Sequence, residues 1–199
     1  MTFSLDQLMR LWWQGIVAPR DAAAEVIGWQ LPRAALMPLA GLISVLASIL
    51  LVLQEQISGP MVVRMADGSL QEFPISPVIL ALIGYAAILG GAWAIGAFGR
   101  AIGGRGGFEA SLALGIYLQA ILLGLQALVL FFLLLVPPVA ALVGIASIVI
   151  RIWLTLQFID VLHGFGSLVK SFFLAIAVLT AVGLAMMLVL TLSGVRLAG

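Results

Sequence analysis

Few residues in this chain could do chemistry, and their spacing narrows what that chemistry could be. Between Phe98 and Glu109 the run FGRAIGGRGGFE sets five glycines and two arginines between long apolar stretches. Backbone N–H groups of such a loop, followed by a helix, can cradle a phosphate. A Walker loop needs G-x-x-x-x-G-K-[ST] after a strand, and no Lys-Ser or Lys-Thr pair follows here. A dinucleotide fingerprint needs a third glycine where Glu109 stands. The nucleotide reading is therefore very weak. Two readings stay open for Arg100 and Arg105: they hold a lipid phosphate or an acidic partner surface, or they are the basic residues of a plain hinge between two membrane spans.

Arg151 is the most unusual residue. It interrupts the apolar run VGIASIVIRIWLTLQF, about nine residues or ~13 Å before Asp160. An ionisable group at such depth is a functional candidate by default, against the plainer reading of snorkelling to the nearer interface. Glu109, Tyr117, Gln119, Gln157 and Asp160 are its candidate partners and form a candidate polar cluster. His163, in IDVLHGFGSLVKS, reads as a solvated loop histidine sharing a polar surface with Asp160 and Lys170. Cysteine is absent, and one histidine stands among eight acids. No catalytic residue, cofactor site or metal site is expected, and no enzyme.

The elements that must position these residues are membrane spans. Of 199 residues, 64% are hydrophobic and 9% charged, with a mean hydropathy of +1.28. Soluble domains carry about a quarter charged residues. Five apolar runs, about 34–53, 77–98, 112–136, 139–158 and 171–192, are each long enough for a ~30 Å hydrocarbon core. The Pro137-Pro138 pair separates the third from the fourth. Asp67-Gly68 marks a small β-hairpin in the loop after the first run. The fold expected is an all-α, five-helix transmembrane bundle.

Residues 1–33 read as a separate amphipathic segment ahead of the 34–199 membrane domain. Leu5, Leu8, Met9, Trp12, Trp13 and Ile16 recur at helical spacing over residues 4–17. Ser4 with Gln7 makes a capping box, and Phe3 with Leu8 its staple. This helix either lies in the headgroup region through Trp12 and Trp13 or packs on the protein's own spans. A second short helix is expected over 21–29. No apolar run precedes Ala34, so the N-terminus reads as retained rather than as a cleaved signal.

Seven basic residues, Arg10, Arg20, Arg33, Arg100, Arg105, Arg151 and Lys170, fall on the side of the N-terminus, against Arg64 and Arg196 on the other. The positive-inside rule then places the N-terminus in the cytoplasm and the C-terminus outside, in the periplasm for a bacterial inner membrane. Eight of the nine basic residues are Arg, a bias common in GC-rich bacteria. Spans associate through small residues. Gly84, Ala87, Gly91 and Ala94 form such a stripe, for packing within the chain or for a dimer seam. Ala177, Ala181 and Ala185 form another, and Ala40, Ser44 and Ser48 a third.

These features together resemble the Yip-one-type (Ypt/Rab-interacting protein) membrane domain family in its bacterial form. Gly103, Gly104, Gly106, Gly107 and Phe108 match its glycine-rich turn and Phe before span three. Trp153, Leu156, His163, Gly164 and Lys170 match its second motif before span five. The family's Gly-Tyr pair is here Gly115-Ile116-Tyr117, and Gln119 stands where a proline often follows. The resemblance implies a five-span fold. Its eukaryotic members act in vesicle trafficking and bind small GTPases and one another. The function expected is a non-enzymatic scaffold or accessory subunit that binds membrane-protein partners or itself, contacts lipid, or shapes the bilayer. Nucleic acid is not an expected partner, since no basic tail or stripe is present. The alternative is a small transporter, channel or lipid-handling protein with a polar site around Arg151, its cavity also lined by Gln119, Gln126 and Gln157.

Overall fold

The computed structural model describes residues 5–59, 62–64, 70–72 and 76–192. Two short helices come first, α1 (Leu5–Val17) and α2 (Pro19–Gly28). Five long helices follow: α3 (Arg33–Ser58), α4 (Pro77–Ala101), α5 (Phe108–Leu135), α6 (Pro137–His163) and α7 (Leu168–Leu192). Among the described residues all five are long and apolar enough to cross a membrane. Between α3 and α4, β1 (Val62–Arg64) pairs antiparallel with β2 (Leu70–Glu72), Val63 opposite Gln71. The Asp67-Gly68 turn and the Ser4 cap lie outside the described residues, as does the side chain of Leu8.

The helices outrun the apolar stretches that betray them. α5 has 28 residues and α6 has 27, or about 42 and 40 Å of rise. A hydrocarbon core of ~30 Å takes about 20 residues. Only Val136 separates the two helices, and Pro137 and Pro138 open α6, where a missing N–H costs nothing. That shared end is pinned at one membrane boundary. The surplus of both helices therefore emerges at the other end, where Glu109, Gln157, Asp160 and His163 sit. A helix continues past its apolar stretch because each added residue closes one more backbone hydrogen bond.

α2 covers this surplus, while α1 packs farther along α5, at Tyr117, Ile121 and Gly124. α5 is the central helix: it packs against α1, α2, α3, α4 and α6. Ala22, Ala23 and Val26 of α2 are fully or almost fully buried, in one core with Leu112, Ala113, Leu154 and Phe158. α3 turns Leu36, Ala40, Ser44 and Ser48 inward at every fourth residue. Ser44 meets α4 at Gly84. α7 closes the far side, where Leu174 and Val178 pack with Ala94 and Ile159. Its inward face carries Ser171, Leu174 and Val178. The alanine stripe anticipated there points elsewhere: Ala177 and Ala185 are exposed. Two of the α4 stripe, Gly84 and Ala94, pack within the chain, whereas Ala87 and Gly91 border an open cleft.

α1 is clamped onto α5. The Trp12 indole N–H donates to the Ile121 carbonyl at 3.0 Å. Its ring occupies the space a Cβ on Gly124 would need. The Tyr117 hydroxyl donates to the Leu11 carbonyl at 2.6 Å, and the same ring stacks on Phe158 of α6. Gly15 lets the two helices close over that hydroxyl. Met9, Trp13 and Val17, four residues apart, stay outside and exposed. α1 thus meets the protein with one face and presents a second apolar stripe on the other. It roofs an apolar cavity of about 450 Å³ between α2, α3 and α5.

Gly15→Val drives a side chain into Tyr117 and Ile121. The expected outcome is release of α1, with overpacking worth about 1–3 kcal/mol. Limited trypsin cleavage at Arg10 and Arg20 checks it. Cleavage should quicken in Gly15→Val and change little in Tyr117→Phe, which forfeits one hydrogen bond of about 1 kcal/mol.

Candidate functional site

The polar residues gather where α4, α6 and the glycine loop converge, and His163 is at the centre. It is 1% exposed. Its Nδ1 accepts the Gly106 N–H at 3.1 Å. Its Nε2 lies 3.1 Å from the Ile95 carbonyl. An acceptor at Nδ1 and a carbonyl beyond Nε2 define a neutral ring protonated on Nε2. The His163 carbonyl takes the Arg105 N–H at 3.3 Å. The ring stacks on Phe165 at 5.1 Å. The reading of a solvated loop histidine is thus corrected: His163 is the last residue of α6 and is buried.

The glycines explain themselves around that ring. A Cβ at Gly99, Gly104 or Gly106 would collide with the imidazole. Four consecutive N–H groups of the loop are already engaged: Gly103 to Arg100, Gly104 to Gly99, Arg105 and Gly106 to His163. A phosphate cradle needs such groups free and convergent. This loop is a saddle for a histidine. Arg100 braces it, donating from Nη1 to the Gly106 carbonyl at 3.3 Å. The Arg105 side chain is exposed.

Asp160, one turn earlier, is the second junction. Its Oδ2 takes Arg20 Nη2 at 2.5 Å and its Oδ1 takes the Ser167 N–H at 2.8 Å. Arg20 Nε also reaches Gln157 Oε1 at 2.7 Å. One carboxylate, 5% exposed, joins α2, α6 and the start of α7. The α6 terminus bends into this arrangement through Gly164, left-handed at φ 64° and bonded to the Asp160 carbonyl. Asp160 and His163 therefore belong to the interior and not to a polar surface with Lys170.

The five residues proposed as one polar cluster separate into different sites. Gln157 and Asp160 belong to Arg20. Glu109 is exposed and takes Arg33 Nε at 2.6 Å, with the guanidinium 4.9 Å over the Phe108 ring. Tyr117 serves α1. Gln119 lines the α4–α5–α6 cleft with Arg151. Gln126 hydrogen-bonds to Gln54, so Gln126 and Gln157 do not share that cleft. Trp12 is docked and Trp13 exposed.

Arg151 is exposed on α6 and borders a cleft of about 230 Å³ between α4, α5 and α6. Among the described residues its guanidinium makes no hydrogen bond or ion pair. A charge at mid-helix in a span costs roughly 2.5–3.5 kcal/mol by insertion scales. No buried side-chain N or O among the described residues lacks a partner. No group of three His, Asp or Glu among them is arranged to hold a metal.

Gly99→Ala and His163→Ala form a double-mutant test of the saddle. His163→Ala strands the Gly106 N–H, at about 1–3 kcal/mol, and removes the second bond to the Ile95 carbonyl, which keeps its helical partner. Gly99→Ala alone forces the ring out. In the double variant the vacated space accepts the Cβ, so the losses should fall short of additive by roughly 0.5–3 kcal/mol. Unfolding in detergent measures it, and simple additivity would show that the glycine does not serve the ring.

No curated protein and no solved structure matches this chain. One family does: the Yip1 domain family matches residues 13–190. That range takes in α2 to α6, the glycine loop, both polar junctions and the Arg151 cleft, with the last five residues of α1 and most of α7. By this match the protein belongs to the Yip1 domain family of integral membrane proteins.

Proposed function

We propose that the protein is a non-enzymatic membrane scaffold or accessory subunit, and that α1 is its docking element. The observation that carries this reading is the outward stripe Met9, Trp13 and Val17 on a helix clamped from behind by Trp12, Gly15 and Tyr117. An apolar stripe on a rigid, pre-ordered helix loses little entropy when a partner covers it. α1 packs on α5 at Tyr117, Ile121 and Gly124, about 16–27 Å from the Leu135 end and so at hydrocarbon depth, where a membrane-protein partner or a second copy would meet it laterally. Residues 1–33 then act as the contact segment, and 34–199 as its support. The polar residues support the same reading, since His163 and Asp160 are engaged in structural bonds and offer no free acid and base pair.

We assign the N-terminus, the glycine loop and the polar junctions to the cytoplasmic face of a bacterial inner membrane, and the C-terminus to the periplasm. The Arg and Lys distribution supports this.

Two experiments test these assignments. A photo-crosslinking amino acid at position 13 or 9, in native membranes, should give discrete protein adducts. The same probe at Leu184, exposed on α7, should not. Lipid adducts alone at position 13 would overturn the docking role. For orientation, Ser69→Cys should label from outside and Arg105→Cys only after permeabilisation. Arg105 is the suitable probe because it is exposed, whereas a side chain at Gly104 would displace His163. The reverse pattern would invert the topology.

A further inference from the structure

The Arg151 cleft is not absorbed by the scaffold reading. α6 begins at Pro137, so Arg151 lies fourteen residues along it, about 21 Å into a hydrocarbon core of ~30 Å. The remaining ~9 Å to the glycine-loop side is close to what an arginine can span by snorkelling. The acids that could have neutralised it are engaged elsewhere: Asp160 with Arg20, and Glu109 with Arg33. The cleft leads from Ser111 and Leu162, near the glycine loop, inward to Arg151. Its wall is apolar apart from the arginine, Gln119, Thr155 and Ser111. Gly91 and Gly115 line it, and a Cβ at either would point into open space.

We propose that this cleft binds one anionic glycerophospholipid from the leaflet on the glycine-loop side. The phosphodiester sits on Arg151 beside Gln119, drawn below the ordinary headgroup plane. An acyl chain lies along Ala87, Gly91 and Gly115. No acid among the described residues pairs with Arg151, and inside a bilayer the abundant anion is a lipid phosphate. Charge complementarity therefore chooses the occupant, and the glycine-lined wall fits the acyl part. The site differs from that of Arg100 and Arg105, which belong to the loop.

The test uses the full chain in mild detergent, by native mass spectrometry and thermal unfolding. Probes are phosphatidylglycerol, phosphatidylcholine with the same chains, and free glycerol 3-phosphate. Phosphatidylglycerol should bind about tenfold tighter than phosphatidylcholine, the factor that a contact of roughly 1.4 kcal/mol produces. Arg151→Gln should erase that preference, and Arg151→Lys should keep part of it. Gly91→Leu should fill the cleft and reduce retention of both lipids while leaving the arginine in place. Arg105→Gln should behave as the wild type. An undiminished preference in Arg151→Gln, undiminished retention in Gly91→Leu, or an equal loss in Arg105→Gln would overturn the site. Binding of glycerol 3-phosphate as tight as that of the lipid would replace it with a soluble anion site. A lack of preference between the lipids, with a co-purified protein lost in Arg151→Gln, would reassign Arg151 to a partner's carboxylate.

Discussion

The imidazole of His163 is the tie on which the rest of this bundle depends. α4 and α6 touch only sparingly along their length, and at their polar ends one ring bonds both to α4 through the Ile95 carbonyl and to the following loop through the Gly106 N–H. Both nitrogens are spent and the ring is buried, so its position is over-determined. The backbone must come so close that three surrounding positions cannot carry a Cβ. Once the end of α6 is held, Asp160 faces α2 and the start of α7 with the right spacing, and the carboxylate secures both. Two residues one turn apart, Asp160 and His163, thus tie α6 to α2, α4 and the start of α7.

The tie matters because lipid supplies no hydrophobic drive between spans. Helices in a bilayer separate unless small residues or polar contacts hold them. This chain concentrates its strong polar contacts at one end, in the part of α5 and α6 that outruns the hydrocarbon. There Arg20, Gln157, Asp160 and His163 act at the boundary between water and lipid. Toward the opposite end contacts are mostly apolar, with the Gln54–Gln126 pair as a polar exception. Covering the surplus is the work of α2, which leaves α1 to pack on the part of α5 that lies within the hydrocarbon, at Tyr117, Ile121 and Gly124.

How much of this was legible in the sequence follows from the range of each interaction. Apolar runs of about twenty residues declare spans by themselves, and all five are present. Their ends were read short, because hydropathy marks the hydrocarbon while the helix continues into polar residues such as Gln157 and Asp160. Amphipathic spacing declared α1, and its two Trp residues hinted at two environments without saying which faced protein. The glycine loop and His163 were both conspicuous, yet they stand 57 residues apart, and no local rule joins a histidine to glycines at that distance. The pair Gly164 and Gly166 after the histidine was the available signal, since left-handed glycines directly behind a polar residue mark a capped, ordered helix end. The polar cluster failed for the same reason. Arg20 and Arg33 come from the amphipathic segment, and each claims an acid that had stood as a candidate partner of Arg151.

That redistribution of partners shapes the cleft. Arg20 and Arg33 neutralise the acids near the polar end and leave Arg151 as the cation set in an apolar wall. The His163 tie meanwhile draws α4 and α6 together at their polar ends only. Deeper in, the facing positions on α4 and α5 are Ala87, Gly91 and Gly115, too small to fill the space beside Phe158 and Leu118. A gap beside an unneutralised guanidinium follows from tying three helices at one end and lining their middle with small residues. Filling that gap with larger side chains would have been the simpler packing solution, so the open cleft and the arginine at its inner end are best understood together.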